Sequence, residues 1–280
     1  GPFLICDQVR GNKVGSSSVK VTVAEIKDKL KAADADELAV LERALVADER
    51  KGVRAALSSA RRRIEAEQAE GTRLAGLYAF EQEICLERGG SLAVGLDEVG
   101  RGPLAGPLAV GAVVLPREPR IAGLNDSKQV KPDARERIAA EVKRTAIAWS
   151  VQYVEPSFID EYGMTASLRL AFRRAIEDVE RQGASVDVVL LDGNPLHLDP
   201  REANVVKGDG KCASIAAASI VAKVERDALM RRYDEEYPEY GFVDNKGYAS
   251  PAHIDAIKRV GLCPIHRASF CTAFSQQSLF

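Results

Sequence analysis

The stretch from Leu92 to Pro107, Leu-Ala-Val-Gly-Leu-Asp-Glu-Val-Gly-Arg-Gly-Pro-Leu-Ala-Gly-Pro, constrains this chain more than any other. An apolar run ends there in two adjacent carboxylates, Asp97 and Glu98, and a glycine-flanked arginine, Arg101. Leu92, Val94 and Leu96 alternate as a strand, and residues 108–115 read as a second apolar strand antiparallel to it. The acids therefore sit near a strand end. Side chains alternate across a strand, so Asp97 and Glu98 serve one site only if the strand twists or finishes at Val99-Gly100. Gly100 and Gly102 permit backbone paths closed to other residues and let a ligand approach the main chain, with Arg101 available for a phosphate. A glycine-rich hairpin with exposed charges at its tip is the plain alternative. A dinucleotide fingerprint is excluded, because Pro103 and Pro107 flank the place where its helix should begin and the next stretch is strand.

The 280 residues, 46% of them hydrophobic, suffice for one large domain or a domain with an appendage. Lys plus Arg total 39 against 41 Asp plus Glu, a net charge of -2 that excludes a wholesale polycation. Any nucleic-acid contact must come from a local basic patch and weaken with salt. Cys6, Cys85, Cys212, Cys263 and Cys271 are an odd set without Cys-x-x-Cys spacing, which predicts reduced thiols in a cytoplasm and neither a disulfide scaffold nor a zinc knuckle. No apolar stretch reaches transmembrane length and no signal peptide opens the chain, so no membrane partner is expected.

Residues 1–20 are expected to be a flexible tail, native or left over from cloning. Residues 21–89 follow as a helical N-terminal domain. Thr22 to Glu25 has capping-box spacing ahead of a helix to about Ala33, and Asp34 and Asp36 offer a turn and cap for a second. Two further helices are predicted, over about 51–70 and 74–88. Arg61-Arg62-Arg63 is either a solvated helix face or a nucleic-acid contact.

Beyond the hairpin, Asp126-Ser127-Lys128 reads as a turn before a helix, and Ala146 to Val154 as a third strand. A helix from Pro156 to Gln182, broken near Gly163, precedes the nearly continuous apolar run Val186 to Leu191. Such a run fits a strand covered on both faces, and it ends at Asp192-Gly193. An Asx-turn would explain that acid alone, but another glycine-set acid, Asp209, follows. The small-residue run from Lys211 opens a long helix suited to lie close on a sheet, so Ser214 and Ser219 read as packing residues. Tyr248 by itself is a loop aromatic, and structural roles are expected for His253 and His266.

The segment Gly95 to Pro107 closely resembles the motif of bacterial ribonuclease HII. Asp192 and Asp209, the Asp126-Ser127-Lys128 turn, the small-residue helix and Gly247-Tyr248 extend the likeness over the last two thirds of the chain. The helical segment resembles the N-terminal extension of some members. The resemblance implies a ribonuclease H-like α/β domain over residues 90–280, with a mixed sheet and flanking helices. It implies an endoribonuclease that cuts the RNA strand of RNA–DNA hybrids and nicks 5' to ribonucleotides embedded in duplex DNA, leaving 3'-hydroxyl and 5'-phosphate ends. Asp97, Glu98, Asp192 and Asp209 would be the catalytic and metal-holding acids. Gly100, Arg101, Gly102, Lys128 and Tyr248 would contact substrate. A set without His or Cys suits Mg2+ or Mn2+, and two such ions would serve the cut. A monomer is expected. Departures from the family pattern occur at residues 161–164, at Gly210-Lys211 and at Ala249-Ser250.

Overall fold

The computed structural model describes residues 21–275, and the expected tail over residues 1–20 lies outside them. Helices α1 (Val23–Ala32) and α2 (Ala35–Ala44) each open on a capping box, Thr22 with Glu25 and Asp34 with Glu37. Helix α3 (Lys51–Glu87) then runs unbroken, which corrects the expectation of separate helices over 51–70 and 74–88. Gly71 stands at the presumed break. A lone helical glycine costs about 1 kcal/mol but leaves the backbone ladder intact, so it does not end a helix. Two compact units divide at Ala69 and Glu70, ahead of the expected boundary at 89/90. In the first, Ile26, Leu30, Leu38, Val53 and Leu57 form a small buried core. Its basic run is internally engaged, Arg61 with Glu42 and Arg63 with Glu67.

The second unit holds β1 (Ala93–Val99), β2 (Leu108–Val114), α4 (Pro132–Thr145), β3 (Ala148–Val154), α5 (Pro156–Arg181), β4 (Val188–Asp192), β5 (Glu202–Val205), α6 (Ala213–Glu236), α7 (Phe242–Asn245), α8 (Pro251–Val260) and α9 (Ala268–Ser275). The strands form one mixed sheet in the order β3-β2-β1-β4-β5. β1 is antiparallel to β2 and parallel to β4, so the two strands that end in acids are neighbours at the centre. α5 keeps its expected break, with Gly163 at φ 78° and ψ 169°.

Both faces of the sheet are covered. Val94, Leu96 and Val110 pack on the α5 residues Phe172 and Ile176. On the other face Ala93, Val188 and Leu190 meet Ile215 at the start of α6. Two glycines set how close α6 lies. A methyl at Gly95 would come within 2.2 Å of the Ser214 carbonyl carbon, and one at Gly111 within 2.4 Å of the Ala218 oxygen. The helix therefore rests on bare backbone, which explains its run of Ala and Ser. The edge strand β5 has no counterpart among the sequence expectations: it is four residues long, with only Ala203 and Val205 buried.

Candidate active site

Strand parity builds the site. Ala93, Gly95 and Asp97 point to the α6 side of β1, as Val188, Leu190 and Asp192 do on β4. The parallel register pairs Leu96 with Leu191, so one step further Asp97 stands beside Asp192. Asp209 joins them from the single 3-10 turn Gly208–Gly210 that feeds α6. One carboxylate oxygen from each of Asp97, Asp192 and Asp209 lies within 4.8 Å of the others, an oxygen-only set able to hold a divalent cation. Asp192 is fixed by accepting a 2.6 Å hydrogen bond from the Gly208 amide, and Asp97 accepts one of 2.8 Å from the Glu98 amide.

Glu98 stands apart from this trio. Parity turns it toward the opposite face of the strand end, where it meets Arg101 at 3.2 Å. The charges still feel one another. Burial, with Asp97 only 7% exposed, and then the Glu98 charge hold the Asp97 carboxyl well above the usual carboxylate range. Burial also raises Glu98, against the Arg101 charge beside it, and Asp192 adds to the rise. Burial raises Asp209, followed by the charges of Asp126 and Asp192, while Lys128 opposes them. Carboxylates gathered this closely are what a cation would relieve.

Of the residues expected to contact substrate, Arg101 meets Glu98 and the Lys128 charge reaches Asp209. Arg101 and Gly102 are exposed, and Gly102 faces the Tyr248 ring, whose Cε1 would be 3.9 Å from an added methyl. Tyr248 is 45% exposed. Lys128 is exposed, with its amide bonded at 2.9 Å to the Asp126 carboxylate.

Further residues were not singled out by the sequence reading. Asp126 is a fifth acid, close enough for its charge to raise the Asp209 carboxyl. Ser219, expected only to pack, stands beside Asp97, where it favours the ionised carboxylate, and lies 3.0 Å from the Ser127 hydroxyl. Its place as the seventh residue of the helix that lies over β1 was the available signal. His253 and His266 find their partner in each other, with Nε2 atoms 3.0 Å apart, while His253 Nδ1 lies 2.8 Å from the Tyr248 carbonyl oxygen.

A family model described as Ribonuclease HII matches residues 94–273, and one described as Ribonuclease HII N-terminal domain matches residues 22–85. The chain is 42% identical over 223 residues to the ribonuclease HII of Listeria monocytogenes serotype 4b, covering 80% of this chain and 84% of that one. It is 39% identical over 249 residues to that of Listeria monocytogenes serovar 1/2a, with 89% and 94% covered. The crystal structure of the ribonuclease H2 from Pyrococcus horikoshii OT3 superposes with a TM-score of 0.54 at 26% identity, covering 64% of this chain and 93% of that one. Sheet domain and helical segment are thus matched separately and together, and the chain belongs to the ribonuclease HII family, hydrolases that act as endonucleases on RNA–DNA hybrids.

Proposed function

We propose that this enzyme nicks duplex DNA on the 5' side of an embedded ribonucleotide, as well as cutting the RNA strand of longer hybrids, and leaves 3'-hydroxyl and 5'-phosphate ends. The observation that carries the reading is the meeting of Asp97, Asp192 and Asp209 beside an exposed Gly-Arg-Gly loop that faces Tyr248. Asp97, Asp192 and Asp209 would hold Mg2+ or Mn2+, two ions in all, with Glu98 as the fourth carboxylate across the strand end. When bound, such cations supply an activated water and neutralise charge on the scissile phosphate and leaving oxygen.

The chain's own groups do the selecting. The 2'-hydroxyl is what distinguishes RNA from DNA at a given site. Gly100, Arg101 and Gly102 would meet that hydroxyl through main-chain and side-chain donors, Tyr248 would stack on the sugar, and Lys128 would hold the backbone phosphate. All these residues belong to one chain, so a monomer suffices.

The test is a labelled DNA duplex with one ribonucleotide, incubated with Mg2+, Mn2+ or chelator beside an all-DNA duplex and an RNA–DNA hybrid. A single metal-dependent cut 5' to the ribonucleotide, absent from all-DNA, is expected. Cutting confined to long hybrids would move the specificity toward other ribonucleases H, and binding without cutting would sink the enzymatic reading.

A further inference from the structure

Two guanidinium groups lie fully buried beneath the Gly-Arg-Gly loop. Arg226 and Arg267 are both 0% exposed, and among the described residues neither makes a salt bridge. A buried cation without an acid is costly and calls for a compensating role. Among the described residues, each hydrogen bond these two groups donate ends on a backbone carbonyl. Arg267 donates from Nη2 to the oxygens of Gly100 and Gly106 at 2.6 and 2.8 Å, and from Nη1 to the oxygen of Arg101 at 2.8 Å. Arg226 donates to Pro107 and Ala105 on one side and, at 3.0 Å, to the Lys246 carbonyl on the other.

Peptide planarity turns these bonds into an aiming device. In a trans peptide the C=O and the following N–H point in opposite directions. Arg267 holds the Gly100 and Arg101 carbonyls inward, so the amides of Arg101 and Gly102 are directed outward. Among the described residues no protein group accepts from either amide. The neighbouring amides of Leu104, Ala105 and Gly106 are instead consumed by the carbonyls of Gly247 and Ile265. Arg226 joins the loop to the segment that carries Tyr248, and a methyl at Gly100 would sit 2.3 Å from its Nε, so the contact tolerates no slack.

We propose that Arg226 and Arg267 are positioning residues for ribonucleotide recognition: Arg267 aims the two unclaimed amides at the ribose 2'-oxygen, and Arg226 fixes their distance from Tyr248. This rests on the reading that the loop senses a 2'-hydroxyl. Lysine keeps the charge but lacks the planar fork that spans several carbonyls at once.

Arg226→Lys and Arg267→Lys are compared with wild type for binding a single-ribonucleotide duplex and an all-DNA duplex, with Ca2+ replacing Mg2+ to suppress cutting. Each folded variant is expected to lose at least tenfold of the preference for the ribonucleotide duplex, with all-DNA binding and Mn2+ affinity unchanged. A purely structural role would lower thermal stability and leave that ratio alone. A wild-type preference retained by both folded variants overturns the proposal, whereas a wild type without preference sinks the underlying reading. Nitrogen NMR of arginine-labelled wild-type protein needs no variant. The Arg267 guanidinium resonances should shift on adding the ribonucleotide duplex and not the all-DNA duplex, and equal responses to both refute the assignment.

Discussion

Replacing Asp97 by Asn should stabilise the protein in chelator while abolishing turnover. Oxygens of Asp97, Asp192 and Asp209 lie within 4.8 Å of one another, so each fully ionised pair would repel by roughly 3.5 kcal/mol at an effective dielectric of about 20. Three such pairs approach the whole stability of a domain, about 5–15 kcal/mol, so the site takes up a proton instead. Burial and the Glu98 charge direct that proton to Asp97. A carboxyl raised in the folded state binds a proton that the unfolded chain releases. Its stabilising effect is thus complete below the unfolded value of about 3.9 and is lost as pH rises through the folded value. Asparagine removes two of the three repulsions and keeps an oxygen to accept from the Glu98 amide. With proton uptake already relieving much of the repulsion, a gain of roughly 1–3 kcal/mol is expected at pH 8, or ~2–8 °C in melting temperature. The assay is thermal unfolding in chelator from pH 5 to 8, read as the difference between variant and wild type. That difference should grow with pH. Saturating Mg2+, at about a hundredfold over its dissociation constant, should stabilise wild type by ~2.7 kcal/mol and the variant by much less. A variant less stable than wild type at every pH, or equally stabilised by Mg2+, would refute the crowded-carboxylate argument.

Tyr248→Ala should cut nicking at least tenfold while changing the unfolding free energy by no more than about 0.5 kcal/mol, because the ring is half exposed; wild-type nicking would remove Tyr248 from junction sensing. Glu81, on α3, accepts from the amide and hydroxyl of Ser214 at 2.8 and 2.7 Å and so caps α6, whose N-cap Cys212 makes no side-chain bond. Glu81→Ala should cost about 1–3 kcal/mol in urea unfolding and Glu81→Gln much less, since burial already raises the Glu81 carboxyl; equal losses would exclude the cap. Burial lowers His253, and burial with the His253 charge lowers His266 to about 4. The unfolded imidazoles protonate near ~6.5, so stability is full above that pH and falls toward pH 4, by about 2 kcal/mol at pH 5 for His266 alone. Urea unfolding of wild type and His266→Gln should diverge as pH falls from 7 to 5, a difference in which the opposing slopes of the raised carboxyls Glu81, Asp97, Glu98 and Asp209 cancel, and a pH-independent difference would contradict it.

What could be read from the sequence was local. Leu92, Val94 and Leu96 announce a strand through alternation, and Val186 to Leu191 announces a covered one through its unbroken apolar run. Each ends in an acid, so Asp97 and Asp192 could be named before any coordinates. Parity made a shared face for Asp97 and Glu98 conditional on the strand twisting or finishing at Val99-Gly100, and β1 instead keeps its regular register with β2 through Val99. The continuity of α3 through Gly71 and the four-residue β5 were not legible, because one depends on a glycine being tolerated and the other on an edge partner supplied by β4.

The residues that organise the site were hidden for a different reason. Arg226 and Arg267 are separated in sequence by more than a hundred residues from the carbonyls they hold between Gly100 and Pro107. No side-chain pattern reports a carbonyl. A cation at those positions looks like any helical or loop arginine until burial removes water and acid partners from reach. The same holds for His253 and His266, whose tautomers are linked. The Cys263 amide donates to His266 Nδ1, so His266 Nε2 carries the proton toward His253, and His253 Nδ1 donates to the Tyr248 carbonyl. The Gly-Arg-Gly loop and the segment carrying Tyr248 are therefore shaped from beneath by buried polar groups. Their chemistry follows from satisfying buried backbone groups, a constraint visible only once distant segments are brought together.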